Sequence, residues 1–141
     1  MIGRLQTNKV KYAVKLFDYI HSVDNEKLAR KITEEDKKIN KKTKVFIQVN
    51  IGEEEQKSGV SKMGLHKLVS YCKEVKLDVI GLMCIPPFEK DSTNYFKEMS
   101  KLNKEFGFSE LSMGMSSDYL EASEHSATYL RIGSNIFGQR S

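Results

Sequence analysis

The chain holds 141 residues with 23 basic and 19 acidic side chains, a formal charge of +4, 39% hydrophobic content, two Cys and two Pro. A chain of this length buries roughly two thirds of the surface it exposes when unfolded, which suits one soluble domain that needs no disulfide staples. No run of about 18 apolar residues occurs, which argues against a membrane-spanning helix, and Met1 to Gln6 lacks a basic stretch leading into an apolar one, so no signal peptide and a cytoplasmic protein are expected.

Taken in chain order, Thr7 is placed to cap a first helix with Val10, Ala13, Val14 and Phe17 at helical spacing, and Tyr19 to Val23 reads as a short strand. Asp24 is expected to cap the next helix, which carries Leu28, Ala29 and Ile32 on one side and ends at Asn40-Lys41-Lys42. Lys44 to Ile51 is a β-branched run suited to a strand covered on both faces, punctuated by Gly52. After a loop from Glu53 to Gly59, Ser61 caps a helix with Met63, Leu65, Leu68, Val69, Cys72 and Val75 as its apolar positions. A strand over Val79 to Ile85 is stopped by Pro86-Pro87. Ser92 caps a helix carrying Tyr95, Phe96, Met99, Leu102 and Phe106, with Gly107 at its C′ position. A strand around Leu111 to Met113, a helix from about Asp118 and a strand around Thr128 to Ile132 complete the pattern.

Strands alternating with crossover helices form parallel sheets, so the fold class is α/β. Two closures fit, an open doubly wound sheet or a (β/α)8 barrel; a barrel takes about 250 residues, so this chain supplies part of one.

Most of the charge carries no site. Acidic and basic residues interleave, as in Glu34-Glu35-Asp36-Lys37-Lys38, which describes solvated helix faces better than a nucleic-acid patch. Cys72 and Cys84 sit among apolar neighbours, as buried reduced thiols do. His21, His66 and His125 have no partners at metal-ligand spacing, and neither a G-x-S-x-G elbow nor a G-x-x-x-x-G-K loop occurs. His66 and His125 read as surface residues, and His21 as a residue within a strand.

Two late segments can carry chemistry: Ser112-Met113-Gly114-Met115-Ser116-Ser117-Asp118 and Arg131-Ile132-Gly133-Ser134-Asn135-Ile136-Phe137-Gly138. Each follows an expected strand. Glycine lets backbone N–H groups approach an anion, serine hydroxyls add donors, and a following helix start adds its positive end. Barrels often hold phosphate in the loops after their last two strands. The alternative is that these glycines serve only tight turns. Arg131 at a strand end offers a fixed cation in a barrel mouth, for a ring nitrogen or an anion, unless it is a surface arginine or part of a structural ion pair.

The ordered segments Ile2-Gly3-Arg4-Leu5-Gln6-Thr7-Asn8-Lys9, His21-Ser22-Val23-Asp24, Lys57-Ser58-Gly59, Gly81-Leu82-Met83-Cys84-Ile85-Pro86 and the two glycine segments resemble the pyridoxal phosphate homeostasis protein family across the whole chain. The resemblance implies a single domain over residues 1–141, the carboxyl-terminal part of an alanine-racemase-like (β/α)8 TIM-type barrel. It implies binding of pyridoxal 5′-phosphate in cofactor homeostasis, with no catalytic residues to name and no metal. By resemblance, Ser116 and the Gly133-Ser134 turn hold the phosphate and Arg131 faces the pyridine nitrogen; Ser22, Asn50 and Met83 line the pocket. The family's earlier strands, with the lysine that forms the Schiff base, have no counterpart here, as if Met1 were internal to a longer reading frame. Weak, non-covalent cofactor binding and self-association through exposed barrel edges are therefore expected. The alternatives are a racemase-like barrel enzyme, which would need a base on each side of its ligand, and a fragment completed by another chain.

Overall fold

The computed structural model describes residues 1–88 and 91–138. Five strands are present among them: β1 (Tyr19–Val23), β2 (Lys44–Val49), β3 (Asp78–Cys84), β4 (Glu110–Met115) and β5 (Tyr129–Arg131). Helices α1 (Val10–Leu16), α2 (Glu26–Lys38), α3 (Lys62–Glu74), α4 (Thr93–Glu105), α5 (Tyr119–Glu124) and α6 (Ser134–Phe137) alternate with them. All four strand pairings are parallel and follow chain order, β1-β2-β3-β4-β5.

This sheet is not flat. Neighbouring strands lie about 4.8 Å apart, so the first and fifth strands of a flat sheet would be roughly 19 Å apart. Here the rings of Tyr19 on β1 and Tyr129 on β5 have centroids 5.7 Å apart, and His21 on β1 reaches Ser112 on β4. The sheet curls into a partial TIM-type barrel, with one face turned inward and the other toward the helices.

Side chains along a strand alternate between the two faces. On the outer face Val45, Ile47, Val49, Leu82, Cys84, Leu111 and Met113 join Leu28, Ile32, Leu65, Leu68, Phe96 and Met99 of the helices in one apolar core. Phe46 and Met83 point the other way; both are fully buried and stand apart from that core. The expectation that β2 is covered on both faces therefore holds.

Several local expectations need correction. Thr7 opens a single 3-10 turn, Thr7–Lys9, rather than capping a helix. The cap of α2 is Asn25, whose side chain accepts from the Leu28 amide at 2.8 Å. Its neighbour Asp24 instead accepts from the Gly59 amide at 3.2 Å, tying two loops together. Met63 is 93% exposed because it lies two positions, about 200° of helical rotation, before Leu65. Ser61 does cap α3, accepting from the Gly64 amide. Ser92 occupies the cap position of α4, but its hydroxyl donates to Glu121 on α5. Gly107 takes the left-handed backbone at the end of α4, with φ of 73°, as expected.

Candidate functional site

The carboxyl ends of parallel strands are where loops of such folds gather their functional groups. Here the loops after β4 and β5 are joined to each other. The Ser116 hydroxyl accepts from the backbone amides of both Gly133 and Asn135, each at 3.3 Å. The Asn135 side chain donates to the Ser116 carbonyl at 3.0 Å. The loop that presents Ser116 is closed by Asp118, which accepts from the Met115 amide at 2.7 Å. Gly114 sets the approach: its φ is 94°, and a Cβ there would lie 2.6 Å from that of Ala122 on α5. A bulkier residue would push α5 and this loop off the sheet.

A cleft of about 1050 Å³ opens over this junction. Ser116, Arg131, Gly133 and Ser134 all line it, together with Asn135, Gly3 and an apolar rim that includes Ile2, Ile85, Phe88, Leu130 and Phe137. Four of the seven residues singled out from the sequence thus meet in one place. Ser22, Asn50 and Met83 do not line this cleft. Ser22 is buried on β1 with an unpartnered hydroxyl. Asn50 braces its own loop, donating to the Glu54 carbonyl at 2.8 Å and accepting from the Glu54 amide at 3.2 Å. Met83 packs inside the curled sheet.

Arg131 is half-buried at the mouth of the curl. Its Nη1 donates to Ser112 Oγ at 2.7 Å and its Nη2 to the Cys84 carbonyl at 2.7 Å. No carboxylate forms an ion pair with it among the described residues. Burial presses the guanidinium below its ordinary value, yet an arginine stays charged in proteins. The cation is therefore held by neutral acceptors, Ser112 Oγ and the Cys84 carbonyl, among the described residues. Nearby Cys84 is inert as a nucleophile, because complete burial pushes its thiol up to about 12.

Behind Arg131 lies a polar layer that sequence reasoning did not assemble. His21 Nδ1 is 2.8 Å from Ser112 Oγ, and the imidazole stacks on Phe46 with centroids 4.3 Å apart. Burial foremost, then the Met1 amino group and Arg131, lower His21 to about 4. Ser112 stood within one of the segments singled out, and as a polar residue in an apolar strand it was a detectable signal. Its partner His21, 91 positions away, reads as a strand residue that could be buried, but nothing in the sequence pairs the two. Asn135 was likewise within a chosen segment, but nothing in its spacing told that its amide would meet Ser116.

As an arrangement, two convergent amides, two serines and a cation make a neutral-donor cradle beside a fixed positive charge. Groups of this kind can bind an anionic oxygen group and an electron-rich ring atom.

Three comparisons bear on what molecules are built this way. A family model described as the alanine racemase N-terminal domain matches residues 1–141. A pyridoxal phosphate homeostasis protein of Aquifex aeolicus is 42% identical over 99% of this chain and 65% of its own length. One from a Synechocystis strain is 37% identical over 99% of this chain and 68% of its own. The solved structure of PipY from Synechococcus elongatus, described with PLP bound, superposes with a TM-score of 0.88 at 30% identity, over 96% of this chain and 68% of that one. The chain thus spans about two thirds of the length of the curated relatives it matches. By sequence and by fold, it belongs to the pyridoxal phosphate homeostasis protein family.

Proposed function

We propose that this chain binds pyridoxal 5′-phosphate as a cofactor-homeostasis protein rather than as a racemase-like enzyme. Ser116, Gly133 and Ser134 receive the phosphate, and Arg131 faces the pyridine nitrogen. The observation that carries the reading is the convergence of the Gly133 and Asn135 amides on one oxygen, that of Ser116, within the loops after β4 and β5. These N–H groups, which here donate to the Ser116 hydroxyl, are of the kind an anionic oxygen accepts from. The donor set fits the cofactor: neutral hydroxyls and amides for a phosphate, and a cation whose position is fixed by two acceptors. PipY, described with PLP bound, supports pyridoxal phosphate as the ligand.

When bound, the cofactor supplies an electrophilic aldehyde and a ring able to delocalise electrons. A permanently charged Arg131 opposite the ring nitrogen disfavours protonation there, which weakens the ring as an electron sink and suits holding rather than turnover. Reversible, non-covalent binding is part of this proposal, in line with a cleft whose described lining residues include no lysine. The reading includes a cytoplasmic site of action and no nucleic-acid partner, the latter supported by charges paired on the surface, such as Lys31–Glu35 and Lys62–Glu98. Among the described residues no helix is long and apolar enough to cross a membrane. Self-association belongs to the same proposal, supported by the exposed apolar side chains of Ile2, Phe88, Ile136 and Phe137 around the cleft. Residues 1–141 act as one domain in it, the carboxyl-terminal part of the barrel.

Titrating the purified chain with pyridoxal phosphate, followed by absorbance and by equilibrium dialysis, tests the assignment. Saturable binding that weakens in Ser116→Ala and Arg131→Met supports it. Binding untouched by both substitutions overturns it.

A further inference from the structure

The cofactor reading uses Arg131 but leaves two buried polar residues behind it without a role. His21 is 5% exposed and Ser112 is fully buried. They come from strands β1 and β4, brought together only by the curl of the sheet. Arg131 donates to Ser112 Oγ at 2.7 Å, and His21 Nδ1 lies 2.8 Å from the same oxygen.

The proton positions follow from the inventory of donors. A guanidinium only donates, so Ser112 Oγ accepts from Arg131. A serine hydroxyl has one proton of its own. The structure gives it one acceptor, His21 Nδ1. That nitrogen must therefore be bare, and the ring neutral with its proton on Nε2. The opposite assignment, with Nδ1 donating, leaves a buried hydroxyl proton without a partner. Full protonation adds a second cation one residue away from Arg131 in a buried setting.

We infer that His21 is a positioning residue, which orients the Ser112 hydroxyl and through it locks the Arg131 guanidinium at the mouth of the cleft. This inference rests on the cofactor reading only for its consequence; the proton arrangement stands on the protein alone. The imidazole is itself immobilised, stacked on Phe46 and edge-on to Tyr129 at 5.6 Å. The titratable and charged groups on this face are Arg131 on β5, the phenols of Tyr19 on β1 and Tyr129 on β5, Lys44 on β2 over the Tyr19 ring, Glu110 on β4, and the Met1 amino group ahead of β1. No carboxylate is bonded to the imidazole among the described residues, so nothing on its list of partners favours its charged form.

Two measurements test the inference. The first uses the unliganded chain with nitrogen-15 in its imidazoles. Chemical shifts of His21 are expected to show the Nε2-protonated, neutral ring throughout pH 5.5 to 8; a ring protonated on Nδ1 anywhere in that range overturns the inference. The second compares pyridoxal phosphate affinity in His21→Phe, which keeps a stacking ring but offers no acceptor, with His21→Asn, whose amide oxygen can stand where Nδ1 stood. We expect about tenfold weaker binding for His21→Phe and recovery to within about threefold of the parent for His21→Asn. Equal affinities in the two variants, whether weakened or not, contradict a positioning role and leave only packing. If Arg131→Met and Ser116→Ala both bind like the parent while the tautomer is as stated, the cofactor reading has failed and the proton arrangement has survived.

Discussion

On the outer face of the sheet, Val45, Ile47, Val49, Leu82, Cys84, Leu111 and Met113 are 2% exposed or less and belong to one apolar core with the helices. On the inner face, Phe46, Met83 and Tyr129 alternate in space with His21, Ser112 and Arg131, and the polar members bond to one another rather than to the chain's surface. The two faces are made of the same five strands and differ only by the parity of the residues along them. The apolar core shared with the helices lies on one parity, and Arg131, the strand residue proposed to meet the ligand, lies on the other. A substitution should therefore disturb one without the other, unless it sits where the faces meet.

The largest expected effect is on the outer face. Phe96, fully buried on α4, should cost about 3–5 kcal/mol of stability when changed to Ala, through lost burial and the cavity left behind; the midpoint of urea unfolding measures it. Arg131→Met comes next and crosses the divide. It leaves the Ser112 hydroxyl and the Cys84 carbonyl without their charged donor, so stability should fall by about 1–3 kcal/mol, and pyridoxal phosphate affinity should fall about a hundredfold by titration. A loss confined to stability would mean that Arg131 serves the barrel alone. Ser116→Ala sharpens the contrast from the other side. The two amides it frees reach solvent in the open cleft, so unfolding should shift by less than about 0.5 kcal/mol while affinity drops about tenfold. Asn25→Ala, at the cap of α2 and distant from the cleft, should cost about 1 kcal/mol with affinity unchanged.

The last prediction is a slope in pH. The folded state holds His21 at about 4 against an ordinary 6.5, so below 6.5 the unfolded chain binds the extra proton. Its contribution to stability is present above about 6.5 and is lost as the pH falls toward 4. The melting temperature should decline across that window, and His21→Phe should flatten the decline.

What the sequence made legible divides along the same line. The β-branched run of β2, the Ser61 cap and the glycine at the end of α4 are local, and local chemistry is enough to place them. The cradle was legible because its serines and glycines cluster in two short segments, each following a strand. Met63 is apolar but lies about 200° from Leu65 around α3 and faces out, and the cap of α2 falls on Asn25 rather than on its acidic neighbour Asp24. In both places, two adjacent choices differ by less than the pattern can resolve. The His21–Ser112 pair was out of reach for a different reason: its partners meet only once the sheet has curled, and curvature is a property of five strands together.

The central claim is that the loops after β4 and β5 grip a phosphate. A crystal structure of the chain soaked with pyridoxal phosphate tests it most directly. The account predicts the phosphate within hydrogen-bonding distance of Ser116 and the Gly133 amide, with the ring nitrogen opposite Arg131. Density for the cofactor away from both loops, with that cleft empty, would contradict it.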